Sequence, residues 1–370
     1  MKKLKGSKKK KKLSAGKIAL IVLVTVLAVM IAAIVVCMAM VNHYLNLIPK
    51  DKDGPSDIVS PDDEDFETDY IPGIDETLGP GETLDPDVVT EAPGPEIDPG
   101  DVTWPDDPPD VDNPPANKSG LVNILLVGQD RRPGEARQRS DSMILISINT
   151  DKKKITVGSF LRDMYVQIPG YSDNRLNVAY KFGGFPLLKK TIYKNFGITV
   201  DGCFECDFDD FKEIIDLLGG VTVYVDSKEA NHLKNFFHVS VSGTGNITLN
   251  GKQALAYARI RKIDSDFGRT SRQQEILMSL FKKFRTASVS ELNNIANAIL
   301  PKLLTDMSNS DIMSLMAKVI PMIGSIDMDN ITQYQVPFNG MYKSATIRKM
   351  SVLVPDLKKI RSKLSSTLPY

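Results

Sequence analysis

Residues 120–160 read GLVNILLVGQDRRPGEARQRSDSMILISINTDKKKITVGSF, and three apolar runs inside this stretch decide the architecture. VNILLVG (122–128), MILISIN (143–149) and KITVGSF (154–160) are aliphatic and β-branched, lie between polar turns, and read as core strands. Beyond them the period changes. Residues 185–196 and 208–218 have helical spacing, and each is followed by glycine and a β-rich run, GITV and GGVTVYV. Alternation of this kind around one apolar sheet predicts an α/β sandwich. Further helices are expected at 251–259, 270–285, 290–304 and 309–322, then a strand at 331–337 and a helix at 354–364. The segment 227–247, which carries His232 and His238, reads as an irregular loop.

Working outward, the formal net charge of zero is a sum of unlike parts. Residues 1–17 hold nine lysines and no acid, a basic cytoplasmic tail. Residues 18–41 are apolar except for Thr25, and at roughly 1.5 Å per residue they are long enough to cross a ~30 Å hydrocarbon core. This segment reads as one transmembrane helix rather than a cleaved signal, with the N-terminus in the cytoplasm and the remainder extracellular. Residues 42–118 form an acidic, proline-rich linker: from 51 to 118 there are 22 Asp/Glu, two lysines and 13 of the 22 prolines. A tract of that composition cannot bury a core and reads as a disordered, self-repelling spacer, with Trp104 exposed within it. The remaining domain, 119–370, has 34 Lys/Arg against 24 Asp/Glu and every arginine of the chain, so an anionic partner is expected.

There is no G-x-S-x-G, no Walker loop, no G-x-G-x-x-G after a strand and no His-x-x-x-His, which argues against a histidine triad or a zinc hydrolase. Cys203 and Cys206 fall on an expected strand, where a three-residue separation is too long for a disulfide, so they read as unbridged. Carboxylates and arginines at strand ends remain. Asp130 follows the first strand and Asp141 opens the second. They read either as a pair for a hard divalent cation, Mg²⁺ or Mn²⁺, or as turn-capping aspartates. Arg131, Arg132 and Arg139 flank them, Arg162 ends the third strand in FLRD, and Arg259, Arg261, Arg269, Arg272 and Gln273 lie in ARIRKIDSDFGRTSRQQ. Guanidinium forks pair bidentately with phosphate oxygens, so this set reads as a pyrophosphate site in preference to a solvated basic surface.

In order, GQDRR, RSDSMILISIN, SFLRDMYVQIPG, RLNVAY, DLLGGVTVYV and LNGKQALAYARIRKIDSDFGRTSRQQ resemble the LytR-CpsA-Psr family of cell-envelope proteins, strongly over 120–285 and more weakly to the C-terminus. The resemblance implies an α-β-α sandwich with a central mixed sheet that binds polyprenyl pyrophosphate in an apolar pocket. It implies Mg²⁺ on Asp130 and Asp141, and pyrophosphate on Arg139, Arg162, Arg259, Arg261, Arg269 and Arg272, with Gln273 as a polar neighbour. Two departures stand out: FLRD replaces the commoner isoleucine-proline-arginine-aspartate, and Cys203 and Cys206 occupy a stretch usually free of cysteine.

The activity so implied is transfer of a glycopolymer, such as teichoic acid or capsular polysaccharide, from the lipid carrier to peptidoglycan. Either Asp130 or Asp163 is placed to take the acceptor's proton. A lipid-binding scaffold and a lipid pyrophosphate hydrolase are the competing readings. Nucleic acid is excluded as a partner by the extracellular placement. Walls for the isoprenoid are expected on one sheet face, carrying Leu125, Val127, Ile144 and Ile146 or their alternates, with the helices after Gly184 and Phe208.

Overall fold

The computed structural model describes residues 40–51, 94–106, 108, 110–131, 136–323, 327 and 330–369. The expected membrane span at 18–41 lies outside the described residues but for its last two, as do the tract 52–93 and Arg132. Residues 40–47 are helical and belong to a unit separate from Ile48–Tyr370. No helix among the described residues is long and apolar enough to cross a membrane.

The three runs read as strands are β1 (Leu121–Gln129), β2 (Ser140–Asn149) and β3 (Lys154–Phe160). Helix α1 (Val178–Phe196) follows, then β4 (Gly202–Asp207) and α2 (Phe208–Leu217). Next come β5 (Val221–Val225), α3 (Ser227–Asn235), β6 (Gly245–Leu249), α4 (Gly251–Arg259) and the long α5 (Asp266–Thr286). The chain continues with α6 (Val289–Ile299), β7 (Leu304–Thr305), α7 (Asn309–Ile323) and β8 (Thr332–Val336). A hairpin of β9 (Tyr342–Ile347) and β10 (Met350–Pro355) and the helix α8 (Leu357–Thr367) close it. The central sheet has the order β8-β3-β2-β1-β4-β7 and is mixed: β1 runs antiparallel to β2 but parallel to β4, and β3 runs parallel to β8. Gly158 in β3 leaves room for the ring of Tyr334 on β8, because a Cβ there would sit 2.2 Å from the ring.

Directly opposed residues of an antiparallel pair share a face. Leu125 faces Leu145 and Val127 faces Met143, and all four enter one large core with Phe160, with α1 residues such as Tyr180, Phe185 and Leu188, and with Ile360 and Leu364 of α8. Ile144, Ile146 and Ile148 occupy the other face. They divide into two small clusters with Met278 of α5 and Met322 of α7, and Leu126 packs against both. The grouping of Leu125 and Val127 with Ile144 and Ile146 is therefore corrected: the two pairs lie on opposite sides, because β1 and β2 alternate in register.

Four further expectations change. The segment 227–247 contains a helix and a strand, since Asp226 and Glu229 form a reciprocal capping box that starts α3. Helix α1 begins at Val178, with a break at Gly183–Gly184 where Gly184 has φ +60°, so the predicted 185–196 is its second half. Trp104 is half-buried and stacks on Tyr165 with ring centroids 6.0 Å apart. The boundary at 118 falls inside the folded body: residues 94–97 pair with Thr346 of β9, and the Asp51 N–H and Pro49 carbonyl bond Thr305 of β7 at 2.8 and 3.2 Å. Cys203 and Cys206 are free, and burial pushes both thiols up, which disfavours the reactive thiolate.

Candidate active site

The antiparallel register of β1 and β2 shifts at their open end: Gly128 pairs with Ser142 and Gln129 with Ser140, leaving Asp141 as the bulged residue. Bulges re-aim side chains, and Asp141 lines a cleft. Ser142, on the same face as Ile144 and Ile146, donates its hydroxyl to Gln273 Oε1 at 2.9 Å. Gln273 in turn donates to the Ala258 carbonyl at 3.3 Å, so β2, α4 and α5 meet at this point. The cleft is lined by Arg162, Arg259, Arg261 and Arg269 together with Asp141 and Gln273. Phe208, Leu255 and Ala258 supply its apolar part.

Like charges at this density need counterions, and the structure provides them. Arg162 pairs with Asp141. Asp163 lies 3.7 Å from Arg162, 3.4 Å from Arg175 and 3.3 Å from Arg261. Burial alone would raise the Asp163 carboxyl, but Arg162, Arg261, Arg175 and Arg269 outweigh it and hold it well below the ordinary carboxylate range. Asp266, the first residue of α5, joins Arg261 at 3.1 Å and Arg269 at 2.9 Å. Burial, reinforced by Arg162 and Arg261, pulls the Arg269 guanidinium down to about 10 against Asp266 and Asp141, so it stays charged at neutral pH. Its buried Nε has no hydrogen-bond partner among the described residues. The guanidinium carbon of Arg259 lies 5.5 Å from the centroid of the Phe208 ring and 5.7 Å from that of the Phe237 ring, within cation–π range of both.

Six of the site residues named from sequence are thus brought to one cleft or its wall, and Asp163 sits behind them. Arg272 is not among them. It is buried on the adjoining side of α5, where Nε meets Glu229 at 2.6 Å, Nη2 meets Asp264 at 2.5 Å and Nη1 donates to the Ile260 carbonyl at 3.0 Å. That corrects its assignment to the anion site: its donors fasten the 260–264 turn. On α5, Arg269 and Gln273 are four apart and share the cleft side, while Arg272 is rotated toward α3. Asp130 and Arg139 follow and precede the paired residues Gln129 and Ser140, at the same end of the sheet, but do not line the cleft. Arg175, which sequence reasoning missed, is the third partner of Asp163, and its only signal was its place in RLNVAY.

A hard divalent ion fits the donor chemistry here, since it takes one or two carboxylates with water and phosphate oxygens, and Asp141 presents one carboxylate at the cleft. Among the described residues no group of three or more His, Cys, Asp or Glu side chains converges on one point, so those residues do not form a closed cage.

Comparison with known proteins places this geometry. The family model described as LytR_cpsA_psr family matches residues 103–366. The chain is 36% identical over 206 residues to the regulatory protein MsrR of Staphylococcus aureus, covering 54% of this chain and 61% of that protein. It is 31% identical over 242 residues to the polyisoprenyl-teichoic acid–peptidoglycan teichoic acid transferase TagU of Bacillus mycoides, covering 61% of this chain and 77% of that protein. Among solved structures, the LytR-CPS2A-psr family protein YwtF (TagT) with bound octaprenyl pyrophosphate lipid superposes with a TM-score of 0.52 at 25% identity, covering 68% of this chain and 92% of that one.

Proposed function

Because the chain belongs to the LytR_cpsA_psr family, we propose that it transfers a glycopolymer from a polyprenyl-pyrophosphate carrier to peptidoglycan. One observation carries this reading: four arginines from two segments distant in sequence, Arg162 on one and Arg259, Arg261 and Arg269 on the other, converge on a single cleft. A pyrophosphate is the ligand whose charge such a set matches, and the printed names of TagU and of the octaprenyl pyrophosphate complex agree with it.

In the proposed step an acceptor sugar hydroxyl attacks the phosphorus nearest the glycopolymer. The new P–O bond forms as the bond to the bridging oxygen breaks, polyprenyl phosphate leaves, and the hydroxyl proton passes to a base or to water. The arginines neutralise charge on the non-bridging and leaving oxygens. Arg259, close to two aromatic rings, and Arg261, fixed by Asp163 and Asp266, are pre-organised for this, so little side-chain entropy is lost on binding. Asp163 does not suit the role of proton acceptor, since a carboxylate held far below its ordinary range binds a proton poorly. Its work is to align Arg162, Arg175 and Arg261. Mg²⁺ would be held by Asp141 with Asp130 and would supply Lewis-acid polarisation of the phosphate oxygens.

The topology belongs to the same proposal: a basic cytoplasmic tail at 1–17, a span at 18–41 and the catalytic domain extracellular. A reporter that is active only after export, fused after Lys118, is expected to be active. Full-length protein incubated with labelled lipid-linked donor and peptidoglycan is expected to give covalent product. Binding without transfer would make the protein a scaffold, and release of label without acceptor would make it a hydrolase.

A further inference from the structure

We infer that Glu205 is a positioning residue that latches both ends of the turn carrying Asp130 and Arg139, an inference that rests on the functional reading above for its catalytic consequence. Glu205 stands in β4, opposite Val127 of β1, and is 2% exposed. A carboxylate buried there costs several kcal/mol unless it is paired and hydrogen-bonded, and an apolar residue would pack more cheaply. Its oxygens are both engaged. Oε1 accepts from Gln129 Nε2 and lies 3.6 Å from Arg131 Nη2, while Oε2 accepts from the Tyr180 hydroxyl of α1.

Gln129 is fully buried and passes the latch on: its Oε1 accepts the backbone N–H of Gln138 at 2.9 Å. The chain of donors has one direction only. An ionised carboxylate offers no proton, so it fixes the NH₂ end of the Gln129 amide toward Glu205 and the carbonyl end toward Gln138. If the amide flipped, two acceptors would face each other at Glu205 and two donors at Gln138. Asp130 immediately follows Gln129, and Arg139 immediately follows Gln138. The acceptor oxygens of Glu205 therefore set where the turn leaves β1 and where it re-enters β2. The helix side is tied in as well: Arg137 lies over the Tyr180 ring at 5.5 Å, and a Cβ at Gly184 would come within 2.8 Å of its guanidinium.

The test is a charge swap in the full chain. Gln129→Glu sets two carboxylates against each other with no proton between them and breaks the sequence of bonds. Adding Glu205→Gln restores it, because the carboxylate at position 129 accepts from both the Gln138 N–H and the new amide at position 205, whose oxygen accepts from Tyr180. Amide exchange of the peptide 136–140 is expected to speed up about tenfold in the single variant, as for loss of one buried hydrogen bond, and to return to within about threefold in the double variant. In the transfer assay kcat/KM follows the same pattern. Unchanged exchange in Gln129→Glu, or an activity loss that persists after exchange is restored, overturns the latch, as does exchange that speeds up equally across all of β1. If Gln129→Glu does not fold, Gln129→Met removes the same bonds without adding charge and the same peptide decides. A wild-type protein without transfer would overturn the functional reading, and the exchange of 136–140 would still judge the latch.

Discussion

The two faces of the central sheet are built from the same strands and do different things. On one, Leu125, Val127, Met143 and Leu145 join a single continuous core with α1 and α8, and Leu125 and Leu145 are fully buried. On the other, Leu126, Ile144, Ile146 and Ile148 meet α5 and α7 in two small separate clusters. That second face leads, through Ser142, to the arginine cleft. The larger continuous core lies on the closed face, and the cleft lies at the end of the divided one. We propose that an isoprenoid tail of the carrier would run along the divided face, which adjoins the cleft.

The sharpest way to break this contrast is to truncate one residue on each side. Leu145→Ala is expected to cost about 4 kcal/mol in urea unfolding, whereas Leu126→Ala, only partly buried, costs about 1 to 2 kcal/mol. Equal costs would mean that both faces are ordinary core.

Next in size is the charge network behind the cleft. Asp163→Asn leaves its arginines without their shared counterion and should cost about 3 kcal/mol at neutral pH. The folded-state carboxyl is depressed, so its contribution is present above the ordinary unfolded value near about pH 4 and is lost as pH falls through the folded value. The difference between wild type and Asp163→Asn, measured at neutral pH and again near pH 3, should therefore shrink on acidification. A constant difference would show that Asp163 is not held by its arginines.

Smaller again are Arg259→Lys and Arg261→Lys, which keep charge and lose the planar fork. Donor affinity should fall roughly tenfold to a hundredfold, with the thermal midpoint little changed. Full affinity in both lysine variants would reduce the cleft to a basic surface. The smallest effect on the fold, and the most telling for the divided face, is Leu126→Trp. Polyprenyl phosphate extracted from the purified protein and measured by mass spectrometry should drop severalfold while the domain stays folded, because a long tail buries about 0.8 kcal/mol per CH₂ and overpacking there displaces it. A lipid-free wild type would end the carrier assignment.

Much of this was legible in the sequence for physical reasons that also explain the gaps. β1, β2 and β3 are rich in aliphatic residues without strict alternation, as a sheet buried on both faces requires. The hairpin of β9 and β10 was not legible, because its turn is made by Arg348 and Lys349, both at positive φ, where glycine or asparagine is the usual signal. Helix α3 is legible in its capping signature, Asp226 with Glu229 three residues later, which outweighs the polar, loop-like composition of 227–247. The cleft arginines announced themselves by residue type, but type alone could not separate Arg269 from Arg272, which differ only in which neighbour their side of α5 meets. Glu205 could not have been found at all. A lone acid in an apolar strand reads as a solvent-facing residue until Gln129, Tyr180 and Arg131 are seen around it.

The pairing of Pro49–Asp51 with Thr305, and of residues 94–97 with Thr346, pins the chain to one body on both sides of the tract 52–93. While the chain is intact, the short 49–51 strand is presented to β7 at an effective concentration on the order of millimolar, as any tethered segment is, so two backbone hydrogen bonds and the 3.6 Å contact between Asp51 and Arg137 are enough to keep it in place. A single cut within the tract would turn that docking into an encounter between two molecules. Such a small contact does not survive dilution, and the β7 edge would then stand open to pairing with another chain. In the membrane arrangement proposed above, one proteolytic event would set the whole catalytic domain free.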